Sequence, residues 1–495
     1  MYASSITIKP PTNNIYIASV IVLSSILWIT FKLIYPYPFI TIDSYYYINA
    51  AYQNAYAGSW PIGYSKFIQL IGFISHSPTL LVTCQYIILQ SSFLAFFFTV
   101  RNHFNLTNRS SLILFIFLFL NPLFIIGSNH IMSDILFTGL SLLWVTHLLW
   151  ILKSPKPYMI ITQAMLILTI FTIRYTALFF PLFTIIVFIV SPQSPWRKTA
   201  GIALTILLLG IFIQFTRIKM EEIGGIRQFS SAGGWKQASN ALYMYGAISN
   251  DDSSSVPERF KTIHQLTKSY FKGPHTNVDL YNIDQEFTTG SFYVAAHESP
   301  LMQYLRIKKG ENADIFDFKN IAPFGPYFNA YGNYLILNHP VSYFKFVVLP
   351  DITAYLYPFP EIYGSPEDLY YLWPNYMGDV AKRWFGLTTV SIPVQFIQIR
   401  GIILKPAPLL FSIIHITFLL SLVVAIILKL YSALDKSRLY AITLITAICI
   451  GNFLFTILSA ASVLRFQFSF TILEFTIALL LFKWLWDSES KNPTA

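Results

Sequence analysis

Apolar residues run through this chain in long blocks broken by short polar turns. The blocks cover 15–35, 78–100, 110–127, 131–152, 158–173, 175–191, 199–216, 405–430, 439–459 and 466–486. A helix rising about 1.5 Å per residue needs roughly 20 apolar residues to cross a hydrocarbon layer about 30 Å thick, so these ten stretches predict membrane spans. The pair 158–173 and 175–191 is short and nearly fused around Arg174. Continuous runs such as Leu112–Leu120 lack the alternation of barrel strands. The expected fold is an all-α polytopic membrane protein of about ten transmembrane helices.

Between blocks the pattern changes. The loop 36–77 mixes aromatic with small and polar residues, as in Tyr45–Tyr56 and Tyr64–Ile74, and this predicts amphipathic helices at headgroup depth. The segment 217–404 has no 20-residue apolar run; its most apolar part, 331–357, predicts an interfacial helix or an additional span. Three parts follow: an N-terminal transmembrane module 1–216 that includes the loop 36–77, an extracytoplasmic region 217–404, and C-terminal transmembrane helices 405–495. No repeat of fixed period supports a solenoid or an inverted-repeat transporter.

Composition agrees, with 55% hydrophobic residues, 11% charged and a mean hydropathy of +0.55. Soluble domains carry about 25% charged residues. The net charge of +10 follows topology. Arg101, Arg109, Lys153, Lys156, Arg197, Lys198, Lys429, Lys436 and Arg438 all fall on the side of the N-terminus, which predicts cytoplasmic termini. Lys32 and Lys66 oppose that count. No basic face with interleaved aromatics marks a nucleic-acid partner. Cys84 and Cys449 lie inside apolar blocks and read as fillers, and the first block reads as a retained anchor rather than a cleaved leader.

This topology collects polar residues on one face: Asp43 after the first span, Asn129, His130, Ser133 and Asp134 between the third and fourth, Arg174 between the fifth and sixth, and Arg465 before the tenth. A polyprenyl-phosphate-linked sugar is a donor that such a face suits. Arginine forks match phosphate oxygens, so Arg174 and Arg465 are candidate phosphate ligands. A carboxylate takes the proton of an acceptor hydroxyl, so Asp43 is the candidate base, with Asp134 and His130 as acceptor ligands. Gly233-Gly234-Trp235 with Asn240 is a candidate sugar platform. The structural alternatives are plain: Asp43 as the N-cap of a helix starting at Ser44, Asp134 as a residue that caps or begins the fourth span, and the arginines as membrane anchors. Glu474, deep in the last block, reads as a neutraliser of a cluster arginine, and His147 and His415 as helix–helix hydrogen bonders. No zinc spacing, Walker loop, dinucleotide-binding glycine pattern or nucleophile elbow occurs.

Over about 15–216 the order of short motifs resembles the C superfamily of glycosyltransferases, whose members include protein O-mannosyltransferases and aminoarabinose transferases. The matching pieces are Asp43, then Trp60-Pro61-Ile62-Gly63-Tyr64, Asn121-Pro122 before Ser133-Asp134, and Arg174-Tyr175 before Phe180-Pro181. The resemblance implies a polyprenyl-phosphate sugar donor, inverting transfer, Asp43 as base, and an extracytoplasmic site in a bacterial inner membrane. Ser44 stands where those members commonly carry a second acid. That leaves open the acceptor (protein, lipid or glycan) and a divalent metal ion as cofactor. A non-catalytic scaffold of a membrane complex and a lipid-linked substrate transporter are the rival readings.

Overall fold

The computed structural model describes residues 13–248, 256–272, 292–313, 317–360, 376–387, 394–459 and 462–489. Among them the chain is helical, and its only β pairing is two isolated bridges, Phe39 with His130 and Phe359 with Val463. Helices are the economical solution in lipid because each satisfies its own backbone.

The helices are α1 (Asn13–Ile34), α2 (Ile42–Tyr52), α3 (Gly63–Gly72), α4 (Pro78–Phe104), α5 (Asn108–Phe119), α6 (Pro122–Ser128), α7 (Ser133–Lys153), α8 (Met159–Ile173), α9 (Phe180–Val190) and α10 (Pro195–Gly224). They continue with α11 (Ala232–Tyr245), α12 (Lys261–Lys272), α13 (Pro300–Lys309), α14 (Gly325–Asn338), α15 (Leu349–Leu356), α16 (Tyr376–Phe385), α17 (Val394–Leu404), α18 (Ala407–Ile427), α19 (Lys436–Ser459) and α20 (Phe468–Glu489). Eight helical stretches among the described residues are long and apolar enough to cross a membrane: 13–34, 78–104, 108–128, 133–153, 195–224, 399–427, 436–458 and 464–485. The chain is a multi-pass membrane protein. The two remaining apolar blocks form shorter helices, α8 and the run 175–190, because Arg174 leaves the helix in an extended conformation (φ −148°, ψ 130°).

Two apolar cores divide the molecule. The larger is centred on α7, which buries Trp144, Leu148 and Leu149 against α4, α8, α9 and α20. The smaller packs α11 against α14, with α12 and α13 beside them. The apolar part of the middle region is two helices. Asn338-His339-Pro340 interrupts them, since proline cannot continue the preceding hydrogen-bond ladder. The first lies on α11. The second runs through a π-helical turn into α15, whose Tyr355 lies among the C-terminal helices.

The segment 129–132 is braced on all sides. Gln85 donates to the carbonyls of Ser128 (2.6 Å) and His130 (2.7 Å), and its own oxygen accepts from the Tyr64 hydroxyl at 3.0 Å. Lys32 donates to Asn129 Oδ1 at 2.9 Å, and the Asn129 amide donates to the Tyr37 carbonyl at 3.0 Å. These ties join α1, α4 and the start of α7. Lys32, which opposed the charge count in the sequence, serves here as a brace.

Candidate functional site

Asp43 enters the structure in the first turn of α2. The helix starts one residue before it and is capped by Thr41, whose backbone N–H donates to Ser44 Oγ at 2.9 Å in a capping box. This corrects the reading of Asp43 as a cap: with Thr41 and Ser44 serving that role, the carboxylate is left for other partners. Asp134 likewise follows the first residue of α7, and Met132 occupies the cap position.

Both carboxylates meet the two arginines. Arg465 Nη1 donates to Asp43 Oδ2 at 2.9 Å and approaches Asp134 Oδ2 at 3.5 Å. Arg174 Nη1 donates to Asp134 Oδ1. The Phe466 ring lies against both guanidinium groups, 4.2 Å from that of Arg174 and 4.7 Å from that of Arg465. Side-chain exposures run from 7% for Asp134 to 23% for Asp43, so water reaches Asp43 most readily. An isolated charge would be costly at this depth; four alternating charges offset one another.

A cavity of about 250 Å³ opens on this cluster, and Asp43, Asp134, Arg174 and Arg465 all line it. Tyr47 of α2, Trp60 between α2 and α3, and Ser133 at the start of α7 extend the wall. The Tyr47 hydroxyl shares a 3.0 Å hydrogen bond with Ser133 Oγ, and burial, with the Asp43 charge adding, pushes its ionisation upward. Tyr47 is therefore a neutral hydrogen-bonding group. Trp60 is fixed by stacking on Tyr46 at 4.2 Å. Nothing in the sequence marks Tyr47, Ser59, Trp60 or Phe466 as wall residues, although Trp60 lies in the motif quoted above.

His130 is buried to 7% exposure and packs on Phe39 at 4.8 Å. Burial, then the positive charges of Arg400 and Arg465, hold its imidazole well below the ordinary range, so it stays neutral. It faces a second, smaller cavity and does not line the first.

Trp235 and Asn240 are not brought to the cluster. Trp235 is 2% exposed, donates its indole N–H to the Ile321 carbonyl at 3.1 Å and meets Phe328 edge-on at 4.5 Å. Asn240, 6% exposed, hydrogen-bonds Tyr343. The second of the paired glycines has a packing reason: a Cβ on Gly234 would sit 1.8 Å from the Gly325 carbonyl oxygen, so α11 and α14 touch backbone to backbone. The site is instead reached by Ser230 and Ala232, at the very start of α11.

Glu474 does not neutralise the cluster. It pairs with His415 Nδ1, and His415 Nε2 bonds Gln467 Oε1 at 2.9 Å. His147 bridges α7 and α8 through Gln163 (2.8 Å) and Thr162 (2.9 Å). Among the described residues, no group of three or more His, Cys, Asp or Glu side chains is placed to hold a metal ion.

No family model matches this chain, and no curated protein or solved structure matches it either.

Proposed function

We propose that this protein is an inverting glycosyltransferase that takes a sugar from a polyprenyl-phosphate donor. The reading places its site at the extracytoplasmic face of a bacterial inner membrane, with both termini cytoplasmic. One observation carries it: residues 422 positions apart in sequence, Asp43 and Arg465, meet at 2.9 Å on the wall of a cavity that Asp134 and Arg174 share.

The chemistry balances with those groups. The Asp43 carboxylate takes the proton of an acceptor hydroxyl, and the acceptor oxygen forms a bond to the anomeric carbon of the donor. The bond from that carbon to the phosphate oxygen breaks, and its electron pair stays on the phosphate. Arginine placed at that oxygen stabilises the charge as it develops. A donor phosphate that draws the Arg465 guanidinium toward itself also releases Asp43 to act as base. A cavity of about 250 Å³ with a stacked tryptophan and neutral hydroxyls suits a sugar ring.

The rival with an observation behind it is a catalytically silent scaffold, since both carboxylates are already engaged by guanidinium groups, as in a structural ion network. The two readings part on Asp43→Asn. If the aspartate is the base, this change abolishes sugar release from a radiolabelled polyprenyl-phosphate donor while expression and melting temperature stay near wild type. Unchanged turnover in that variant removes Asp43 from the mechanism, and no turnover by wild type across donor sugars favours the scaffold.

A further inference from the structure

A third cavity, of about 590 Å³, shares no lining residue with the two above. Tyr52 at the end of α2, residues 75–77 before α4, and Arg383 and Trp384 at the end of α16 line it. Ring contacts hold these walls together. His76 meets Trp384 edge-on at 4.5 Å, and the Arg383 guanidinium carbon lies 5.9 Å from the Tyr52 ring centre.

The lining offers hydrogen-bond donors and a positive charge. Arg383 is exposed, and its Nε donates to the Asp379 carbonyl at 3.3 Å, a bond that does not use its two terminal amino groups. The Asp379 carboxylate pairs instead with Lys382 at 3.6 Å. Ser75 Oγ accepts from the Ser77 N–H at 3.1 Å and Ser77 Oγ from the Leu80 N–H at 3.3 Å, so each hydroxyl keeps its own hydrogen to donate. Among the described residues no carboxylate lines this cavity. Such a lining selects an anion. Its surroundings say which kind. Leu70, Phe73 and Ile74, immediately before the wall residues, are 60%, 88% and 76% exposed and share one helical face by their spacing. Gly72 among them abuts the other wall, since a Cβ there would lie 3.0 Å from the Trp384 ring. A contiguous apolar ridge beside the first residue of the span α4 meets acyl chains, and Trp384 and Tyr52 are side chains typical of headgroup depth.

We infer that this cavity binds the headgroup of an anionic glycerophospholipid, with Arg383 on its phosphate and the acyl chains against Leu70, Phe73 and Ile74. The inference goes beyond the glycosyltransferase reading and stands without it, because the cavity lies at the opposite end of α2 from Asp43. Free phosphate shares the headgroup chemistry but has nothing to place on the apolar ridge. A basic pocket at headgroup depth favours a lipid that carries net negative charge over a zwitterionic one. A lipid held there ties the ends of α2 and α16 to the start of α4, and so fixes the loop 36–77 at the membrane surface.

The test uses the full chain purified in detergent and titrated with dioleoyl phosphatidylglycerol or dioleoyl phosphatidylcholine, with binding read by native mass spectrometry and thermal shift. Wild type is expected to retain the phosphatidylglycerol in preference; equal retention of the two overturns the anionic site. Arg383→Gln is expected to weaken phosphatidylglycerol by at least about fivefold, the scale of one cation at a membrane surface. Lys382→Gln, one residue away and outside the lining, is expected to leave it unchanged. Unchanged affinity in Arg383→Gln overturns the site, and so does equal weakening in both variants, which marks diffuse surface charge. Displacement by an equal concentration of inorganic phosphate assigns the cavity to the free anion and overturns the lipid. Should Arg383→Gln melt below wild type without added lipid, a phosphatidylglycerol with a photoreactive headgroup decides on wild type. Cross-links within 70–77 or 376–386 support the site, and cross-links confined to other segments overturn it.

Discussion

Phe466 separates two guanidinium groups that would otherwise repel, and Asp43 and Asp134 supply the opposing charge. Asp134 is the most buried member and touches both arginines. Removing its charge leaves two partly buried cations with Asp43 as the remaining carboxylate of the cluster. Asp134→Asn should therefore cost about 3–5 kcal/mol, the range for breaking a buried pair from one side. Thermal unfolding in detergent measures this, and a cost below about 1 kcal/mol would reduce the cluster to surface-type pairs. His130 carries a pH prediction. Its pKa is lower folded than unfolded, so between the two values the unfolded chain binds more protons and stability falls with acidification. The loss begins as pH drops below about 6.5 and reaches at most about 1.4 kcal/mol per pH unit. His130→Gln should flatten that part of a melting-temperature profile; an unchanged slope would show that other groups produce it. Asp43, Asp134, Arg174 and Arg465 were legible in the sequence because each is a charge at the end of an apolar block on one side. Arg400 was not, since it sits among the last residues of a polar-looking region and only packing against Phe39 and α6 reveals its depth.

At the scale of helices, the turn 464–467 that carries Arg465 is clamped from both sides. Its Leu464 N–H donates to the Phe359 carbonyl at 3.2 Å. Gln467 Oε1 accepts from His415 Nε2 at 2.9 Å, and the Gln467 amide nitrogen donates to the Tyr355 carbonyl at 3.2 Å. Tyr355 in turn donates to Glu474 at 3.4 Å and accepts from Asn452 at 3.3 Å, so α15, α18, α19 and α20 share one buried network. Glu474→Leu strands several of these groups and should destabilise by about 3 kcal/mol or more. The double variant Glu474→Leu with His415→Phe should recover part of that loss. A double-mutant cycle with coupling below about 0.5 kcal/mol would show that the two side chains do not act as a unit. Pairing of this kind escapes sequence reading because 59 residues separate Glu474 from His415, and an arginine partner was equally open by residue type. The same holds for Gly233-Gly234-Trp235. Small and aromatic residues together serve a sugar or a close helix crossing, and only the approach of Gly325 decides for the crossing. Gly234→Ala should cost at least about 1–3 kcal/mol by overpacking, read in the same unfolding assay.

For the whole molecule, the cluster and the basic loops occupy opposite ends of the apolar helices. Arg101 hydrogen-bonds Asn13 and Arg438 donates to the His103 carbonyl, which gathers the starts of α1 and α19 with the end of α4. Asp43, Asp134 and Arg465 lie at the other ends of α1, α7 and α20. If the basic end faces the cytoplasm, as the positive-inside rule expects, the cavities open to the opposite compartment. Cysteine labelling tests this in intact cells. Cys84 is half-buried and Cys449 buried, so both are first replaced by serine. Gly58→Cys is the reporter for the site end, because a Cβ there meets nothing within 4 Å. Lys156→Cys, on an exposed turn after α7, reports the basic end. A membrane-impermeant maleimide should label Gly58→Cys in intact cells and Lys156→Cys only after permeabilisation. The reverse pattern would turn both cavities toward the cytoplasm, where sugar nucleotides are available as donors, and the case for a lipid-phosphate donor would lose its topological support.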